Sequence, residues 1–389
     1  MSKKFLSGNE AFAYGVCLAK PQVISAYPIT PQTIVVEKLS EMVEDGSLNA
    51  EFIHVESEHS ALSCAIGASS VGVRAFTATS SQGLLYMAEC LPYAAGGRFP
   101  IVMMNANRST ALPWNIYGDH RDSLSQLDSG WIQAYAQDAQ ESLDLALMSF
   151  YIGEHPKVST PFMVNLDGFV LTHTYEVVDV PTSQQADEFL PAYETENKMD
   201  INSPKNLGFS VGPQHNTAFK LKEHIGVLNA KEIIKQAEKR FDKLFGRKYS
   251  GLVEEYRTRD AEYILITLGS ISGLAREVVD KLRLDGKRVG VLRLRYLRPF
   301  PNEEISSIVK NAKAIATLEK DISFGNEGAV YTNVNSALQK AGINLPSSNY
   351  IGGLGGKNIS PQDIEYIFSA LKNHQSTVEF LGVGVEIDE

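Results

Sequence analysis

The feature that most constrains this chain is a repeated switch between two hydrophobic periods. Short, nearly all-apolar runs alternate with stretches whose apolar residues recur at helical spacing. Val23-Ile-Ser-Ala-Tyr27 is the first run, and Ile34, Val35, Leu39 and Met42 then share one helical face. Phe52-Ile-His-Val55 predicts a second strand, with Ser57 as N-cap of a helix running from Glu58 to about Gly72. Strand Arg74–Thr79, a helix from about Gln82 to Ala95, strand Pro100–Asn105, a helix from about Gln140 to Ile152 and strand Pro161–Asp167 continue the series. Strands that are apolar on both faces must be covered by helices on both faces. The pattern therefore predicts an α/β fold built on a parallel sheet.

Residues 1–180 hold this first unit. Residues 181–258 break the pattern with prolines at 181, 191, 204 and 213 and a charged helical run from about Lys222 to Phe245. That stretch reads as a linker wrapping the domains. A smaller alternating unit at 259–375 follows, with strands at Tyr263–Leu268, Arg288–Leu294, Ala314–Leu318 and Asn349–Ile351. Its helices are expected at Leu274–Leu284, near Glu303, at Glu327–Lys340 and at Ser360–Leu371. In the tail, 376–389, the apolar run from Val378 to Val385 is expected to dock on a partner or a neighbouring domain.

Composition removes several function classes. The chain is 43% apolar, which excludes disorder, and 46 acidic residues against 36 basic ones give a net charge of −10. With no basic block, a nucleic-acid partner is not expected. Neither a membrane span nor a secretory leader is expected, and a cytoplasmic location follows. Cys17, Cys64 and Cys90 are too widely spaced for a disulfide framework or a metal site.

Ligands of open α/β sheets gather at the carboxyl ends of the strands. Five polar groups stand there: Tyr27-Pro-Ile-Thr-Pro31, Glu56-Ser-Glu58-His59, Ser80-Ser-Gln-Gly83, Asn107-Arg108 and Asp167-Gly168. Thr30 reads as an N-cap before Pro31 at the first helical position. Glu58 reads either as a complement to the helix dipole or as a carboxyl in a cleft that exchanges a proton with a ligand. Arg108 is suited to hold a substrate carboxylate through two parallel bonds, or equally to pair with Asp119, Asp122 or Asp128. The stretch Trp114–Asp122 is long enough to be a functional loop, in which His120 is a proton carrier or a satisfied loop residue. Gly269–Gly273 places Ile271 where a serine nucleophile would stand, and Gly352–Gly356 lacks dinucleotide-binding spacing.

Tyr27-Pro-Ile-Thr-Pro-Gln-Thr33, Val55-Glu-Ser-Glu-His-Ser-Ala61, Thr77-Ala-Thr-Ser-Ser-Gln-Gly83, Asn107-Arg108, Asp128-Ser-Gly-Trp-Ile-Gln133 and Asp167-Gly-Phe169 with His173 occur in this order. Arg298-Pro-Phe-Pro301, Phe324-Gly325 and Gly352–Gly356 extend the series. The set resembles the α subunit of the 2-oxoacid:ferredoxin oxidoreductases over about residues 5–372. The resemblance implies a pyrimidine-binding parallel-sheet domain for thiamine diphosphate plus a smaller transketolase-C-terminal-like α/β domain. It implies a β subunit that holds Mg²⁺ and the diphosphate through a GDG…N motif, absent here, and γ and ferredoxin-like δ subunits. Iron–sulfur clusters belong to those partners, with none in this chain.

The implied reaction is oxidative decarboxylation of a 2-oxoacid with coenzyme A, giving acyl-CoA, CO₂ and reduced ferredoxin, or passing electrons to a flavin/NAD subunit. By position, Glu58 falls on the glutamate that bonds the pyrimidine N1′, with Tyr27, Pro28, Ile29, Ser81 and Gln82 as cofactor-side neighbours. Arg108 falls on the arginine that binds the 2-oxoacid carboxylate, helped by Thr30, with Trp114, Asp119 and His120 on the substrate side. Pro113-Trp114 and Asp122-Ser-Leu-Ser-Gln126 look like members acting on branched or aromatic acids such as 2-oxoisovalerate or phenylglyoxylate, with pyruvate the other expectation. A thiamine enzyme of transketolase or dehydrogenase type, and a scaffold paralogue without chemistry, are the alternatives.

Overall fold

The computed structural model describes residues 2–373 and 378–383. Val23–Ala26, Glu51–His54, Ala75–Thr79, Val102–Asn107, Ile132–Tyr135 and Phe162–Asp167 form a parallel sheet. Its seventh strand, Tyr296–Arg298, comes from the second unit and pairs antiparallel with Ile132–Tyr135. The side-chain period of two explains the two-sided burial. Val102, Met104 and Ala106 pack into one core with helices Gly8–Ala19 and Ala139–Glu154, while Met103 faces a second core with Glu58–Ser70 and Cys90–Gly96.

The second sheet runs in the order Val378–Phe380, Ser347–Ile351, Ala314–Glu319, Tyr263–Leu268, Val289–Leu294 and Val253–Tyr256, parallel except for the last. Val253–Tyr256 lies within the stretch expected to be linker, so this sheet begins before residue 259. The described part of the tail pairs with its own domain, through Val378–Phe380 beside Ser347–Ile351. Residues 374–377 and 384–389 lie outside the described residues. Ile264, Ile266 and Leu268 of the second sheet share one apolar core with the first unit.

Three local expectations change. The helix expected at Gln82–Ala95 is two, Ser81–Tyr86 and Cys90–Gly96. The break puts Pro92 in a first turn, where its missing N–H has no intrahelical role. The helix after Pro31 starts at Thr33 with Gln32 before it, so Thr30 is not its N-cap; the Thr30–Pro31 peptide is cis. The charged helix starts nine residues earlier than expected, at Pro213, a residue suited to the first helical position, and runs to Phe245. Helix Gly8–Ala19 and strands Ser2–Ser7, Ile132–Tyr135 and Tyr175–Val180 carry no strong periodic signal and were not expected.

Candidate active site

Ser57 caps the helix Glu58–Ser70 by accepting from Ser60 N, which places Glu58 in the first turn at the end of strand Glu51–His54. Glu58 is 9% exposed, and no protein donor meets its carboxylate among the described residues. Beside it lies Gly83. A Cβ there would come within 2.7 Å of Glu58 Oε1 and 2.5 Å of Thr79 Oγ1. The Thr79 hydroxyl is itself buried without a partner. A buried carboxylate and a buried hydroxyl left unsatisfied are costly unless a ligand meets them, and glycine keeps the space between them open.

Arg108 follows strand Val102–Asn107 and is 5% exposed. Its Nε donates to Asn115 O (3.2 Å) and its Nη1 to Thr30 O (2.9 Å). Trp114 lies over the guanidinium at 5.4 Å. The arginine is thus held by carbonyls and an aromatic face, and among the described residues no carboxylate pairs with it. Burial lowers its pKa, partly offset by the charge of Asp122. A guanidinium seated this way keeps its net charge for an incoming anion.

The expected pairing of Arg108 with Asp122 takes a different form. Asp122 Oδ2 accepts the backbone N–H of Arg108 (3.0 Å) and of Ser81 (3.1 Å), and Asn105 Nδ2 (3.2 Å). Its Oδ1 accepts Asn107 Nδ2 (2.8 Å) and Ser123 N (2.7 Å). Burial pushes this carboxyl up to about 6, against the pull of those donors. Asp122 therefore binds the turn that carries Ser81, Gln82 and Gly83 to the turn that carries Arg108. Sequence reading singled out neither this role nor Thr79, because an acceptor of backbone N–H groups carries no spacing signature.

Thr30 meets Arg108 through its backbone carbonyl rather than its hydroxyl, and the residue is exposed. Tyr27, Pro28 and Ile29 form the preceding loop, braced by Ile29 N donating to Gln32 Oε1 (3.3 Å). Ser81 uses its hydroxyl within the protein, on Ser109 O (2.6 Å) and Gln82 Oε1 (2.5 Å), from a left-handed backbone at φ +49°. Trp114 and Leu112 are 68% and 86% exposed, so this chain alone does not close the apolar wall expected there.

Asp119 and His120 are buried; Asp119 and His120 Nε2 are engaged within the protein, and His120 Nδ1 is buried without a partner. Asp119 accepts Gly355 N (3.0 Å) and pairs with Arg121. His120 Nε2 meets Asp167, which also accepts Ser270 N (2.7 Å) and faces Lys320 Nζ (3.3 Å). Although burial works the other way, Lys320 and His120 hold the Asp167 carboxyl well below the usual range.

Residues 14–239 match the family described as pyruvate flavodoxin/ferredoxin oxidoreductase, thiamine diphosphate-binding, and residues 261–364 match pyruvate:ferredoxin oxidoreductase core domain II. The chain belongs to this 2-oxoacid:ferredoxin oxidoreductase family, as a chain of its α-subunit type. It is 46% identical to pyruvate synthase subunit PorA of Methanothermobacter thermautotrophicus, over 99% of this chain and 100% of that one. Ketoisovalerate oxidoreductase subunit VorA of Pyrococcus horikoshii is 42% identical, over 95% of this chain and 94% of that one. The fold is similar to that of 2-oxoglutarate:ferredoxin oxidoreductase from Magnetococcus marinus, with a TM-score of 0.72 at 19% identity. That match covers 96% of this chain and 65% of the other, so this chain spans less than two thirds of that larger one. Among the described residues no helix is long and apolar enough to cross a membrane.

Proposed function

We propose that this chain is the catalytic α subunit of a 2-oxoacid:acceptor oxidoreductase. In that reaction a 2-oxoacid and coenzyme A give acyl-CoA and CO₂, releasing one proton and passing two electrons to the acceptor. The observation that carries the reading is a buried carboxylate and a buried guanidinium that meet no opposite charge among the described residues, beside two turns that Asp122 joins at Ser81 N and Arg108 N. One is the partnerless carboxylate of Glu58 beside Thr79 and Gly83; the other is the Arg108 guanidinium without a carboxylate. The first fits the pyrimidine edge of thiamine diphosphate, and the second fits a substrate carboxylate.

Thiamine diphosphate, when bound, supplies the carbon nucleophile and the electron sink that decarboxylation of a 2-oxoacid requires. Glu58 holds a proton at the pyrimidine N1′, and Thr79 and Gly83 shape the space beside it. Arg108 orients the 2-oxoacid by its carboxylate, with the Tyr27–Thr30 loop as the opposite wall. Trp114 covers one face of the guanidinium and so limits the side from which the acid enters. The sequence contains no GDG motif for the diphosphate and Mg²⁺, which supports a site shared with a β subunit that carries them. Cluster-bearing γ and δ chains, and ferredoxin or a flavin/NAD subunit, take the electrons. Relatives named pyruvate synthase support pyruvate as substrate, while the VorA relative and the Leu112–Tyr117 stretch support 2-oxoisovalerate as the second choice.

Calorimetry with thiamine diphosphate and Mg²⁺ tests the shared site. The chain alone is expected not to bind, and the chain with its GDG-bearing partner is expected to bind. Micromolar or tighter binding by the lone chain would overturn it. The assembled complex is then assayed for kcat/KM with pyruvate, 2-oxoisovalerate and phenylglyoxylate, with coenzyme A and ferredoxin present. Absence of CoA-dependent acceptor reduction with all three acids would overturn the activity.

A further inference from the structure

The glycine run 352–356 matches no phosphate-binding template, and the site described above does not use it. We propose that this loop of the second domain positions Arg108, by seating the segment from Ser109 to Asp119 that holds the guanidinium. The inference rests on the role proposed for Arg108.

Asn115 is the pivot. Its Nδ2 donates to Gly355 O (2.9 Å), while its own backbone carbonyl accepts Arg108 Nε (3.2 Å) and Ser109 Oγ (3.4 Å). Its Oδ1 accepts Tyr117 N (2.6 Å), which curls the segment back toward the loop. Two further bonds complete the seat: Gly356 N to Gly118 O (2.9 Å) and Gly355 N to Asp119 Oδ2 (3.0 Å). The second of these accounts for the buried Asp119 carboxylate. A third contact, His120 N to Lys320 O (2.9 Å), fixes the end of the segment to the same domain.

Glycine is required here for a reason other than phosphate binding. Gly355 and Gly356 have φ of +58° and +79°. A Cβ on Gly355 would stand 2.6 Å from Asn115 Nδ2, and one on Gly356 would stand 2.4 Å from Tyr117 Cβ. A side chain at Gly355 would displace the Asn115 amide that links the segment to the loop, and one at Gly356 would push the segment itself away, moving the carbonyl that holds Arg108. A displacement of ~1 Å in a substrate-positioning group is on the scale that costs about 10²-fold in rate. The second domain thus has a task at the chemistry without contributing a side chain that touches substrate.

The test uses the complex assembled with its partner chains and pyruvate as probe, or 2-oxoisovalerate if that acid is preferred. Gly356→Ala is the direct variant. Asn115→Ala removes the same link without demanding a left-handed backbone, and serves where Gly356→Ala does not assemble. Both are expected to raise KM for the 2-oxoacid by about 10-fold or more, by the same displacement. Hydrogen exchange at C2 of bound thiamine diphosphate, which needs no substrate, is expected to stay unchanged. In an Arg108→Ala background the effect of Asn115→Ala is expected to disappear, because both changes act on one group. An unchanged KM in Asn115→Ala, or an equal effect with and without Arg108, overturns the proposal. If Arg108→Ala alone leaves kcat/KM unchanged, the reading of Arg108 falls and this inference with it.

Discussion

Two buried polar regions of this molecule treat their charges in opposite ways. At the join of the domains, Glu141 takes Arg293 at one oxygen and Arg295 at the other, the latter at 2.9 Å. Arg295 goes on to Glu238 and to Gly251 O (2.6 Å), and Arg293 to Glu254 (3.0 Å) and Tyr135 O (2.9 Å). Burial alone would raise the Glu141 carboxyl, yet the two guanidinium groups outweigh it and hold the group below its ordinary value. Around Glu58 and Arg108 the opposite holds: a carboxylate and a guanidinium, each at least nine-tenths buried, lack charged partners among the described residues. Charge paired within the protein serves assembly, because a half-broken buried pair is costly. Charge left unpaired at the carboxyl ends of a parallel sheet is held ready for a ligand. The difference separates framework from site without reference to any relative.

The comparison breaks most visibly at its framework side. Glu141→Gln leaves two buried guanidinium groups short of a counter-charge and is expected to lower stability by about 3–5 kcal/mol. Denaturant midpoints of the complex measure it, with KM for the 2-oxoacid unaffected in molecules that remain folded. A loss below ~1 kcal/mol would show that the network is replaceable. On the site side the signature reverses. Glu58→Gln is expected to keep stability and lose turnover by about 10²–10⁴-fold, the usual worth of positioned acid–base help. Unchanged turnover would reduce Glu58 to a helix-start residue.

Arg108→Ala is expected to reduce kcat/KM by ~2–5 kcal/mol in transition-state terms. Arg108→Lys should recover only part, since an ammonium lacks the planar fork. Full recovery by lysine would mean that charge alone matters there.

The smallest expected effect, counted per pH unit, concerns Glu319, a second-domain carboxyl that burial, and then neighbouring Asp321, push up to about 8. Its neutral form is favoured in the folded protein. Stability should therefore fall as pH rises from the unfolded value near 4.5 through about 8, by at most ~1.4 kcal/mol per pH unit. Glu319→Gln should flatten that slope when midpoints at about pH 5 and about pH 8 are compared with the unsubstituted protein. An identical slope in both would exclude Glu319 as its source.

The alternation of periods alone determined the α/β class and most strands of both sheets, because parallel strands buried on both faces leave an unmistakable apolar run. Ser57 before Glu58 and the placing of Arg108 after a strand were equally legible, since caps and strand ends are local. Three kinds of feature were not. Tyr296–Arg298 completes the first sheet from the second unit, and Val378–Phe380 adds an edge strand to the second sheet; pairing partners depend on which edge is free. Ser81, Asp119 and His120 read as ligand-facing polar residues, yet the Ser81 hydroxyl bonds Ser109, Asp119 bonds Gly355 and His120 Nε2 bonds Asp167, while His120 Nδ1 stays buried without a partner. Asp122, Thr79 and the glycine loop stood in motifs, but nothing in the sequence showed what they bond: Asn115 and Gly355, 240 positions apart, hold each other at 2.9 Å. Periodicity records which face of an element is apolar, a property each segment carries by itself. Whether a buried polar atom is satisfied or left free depends on atoms that only the folded chain brings within 3 Å, and that choice made the site.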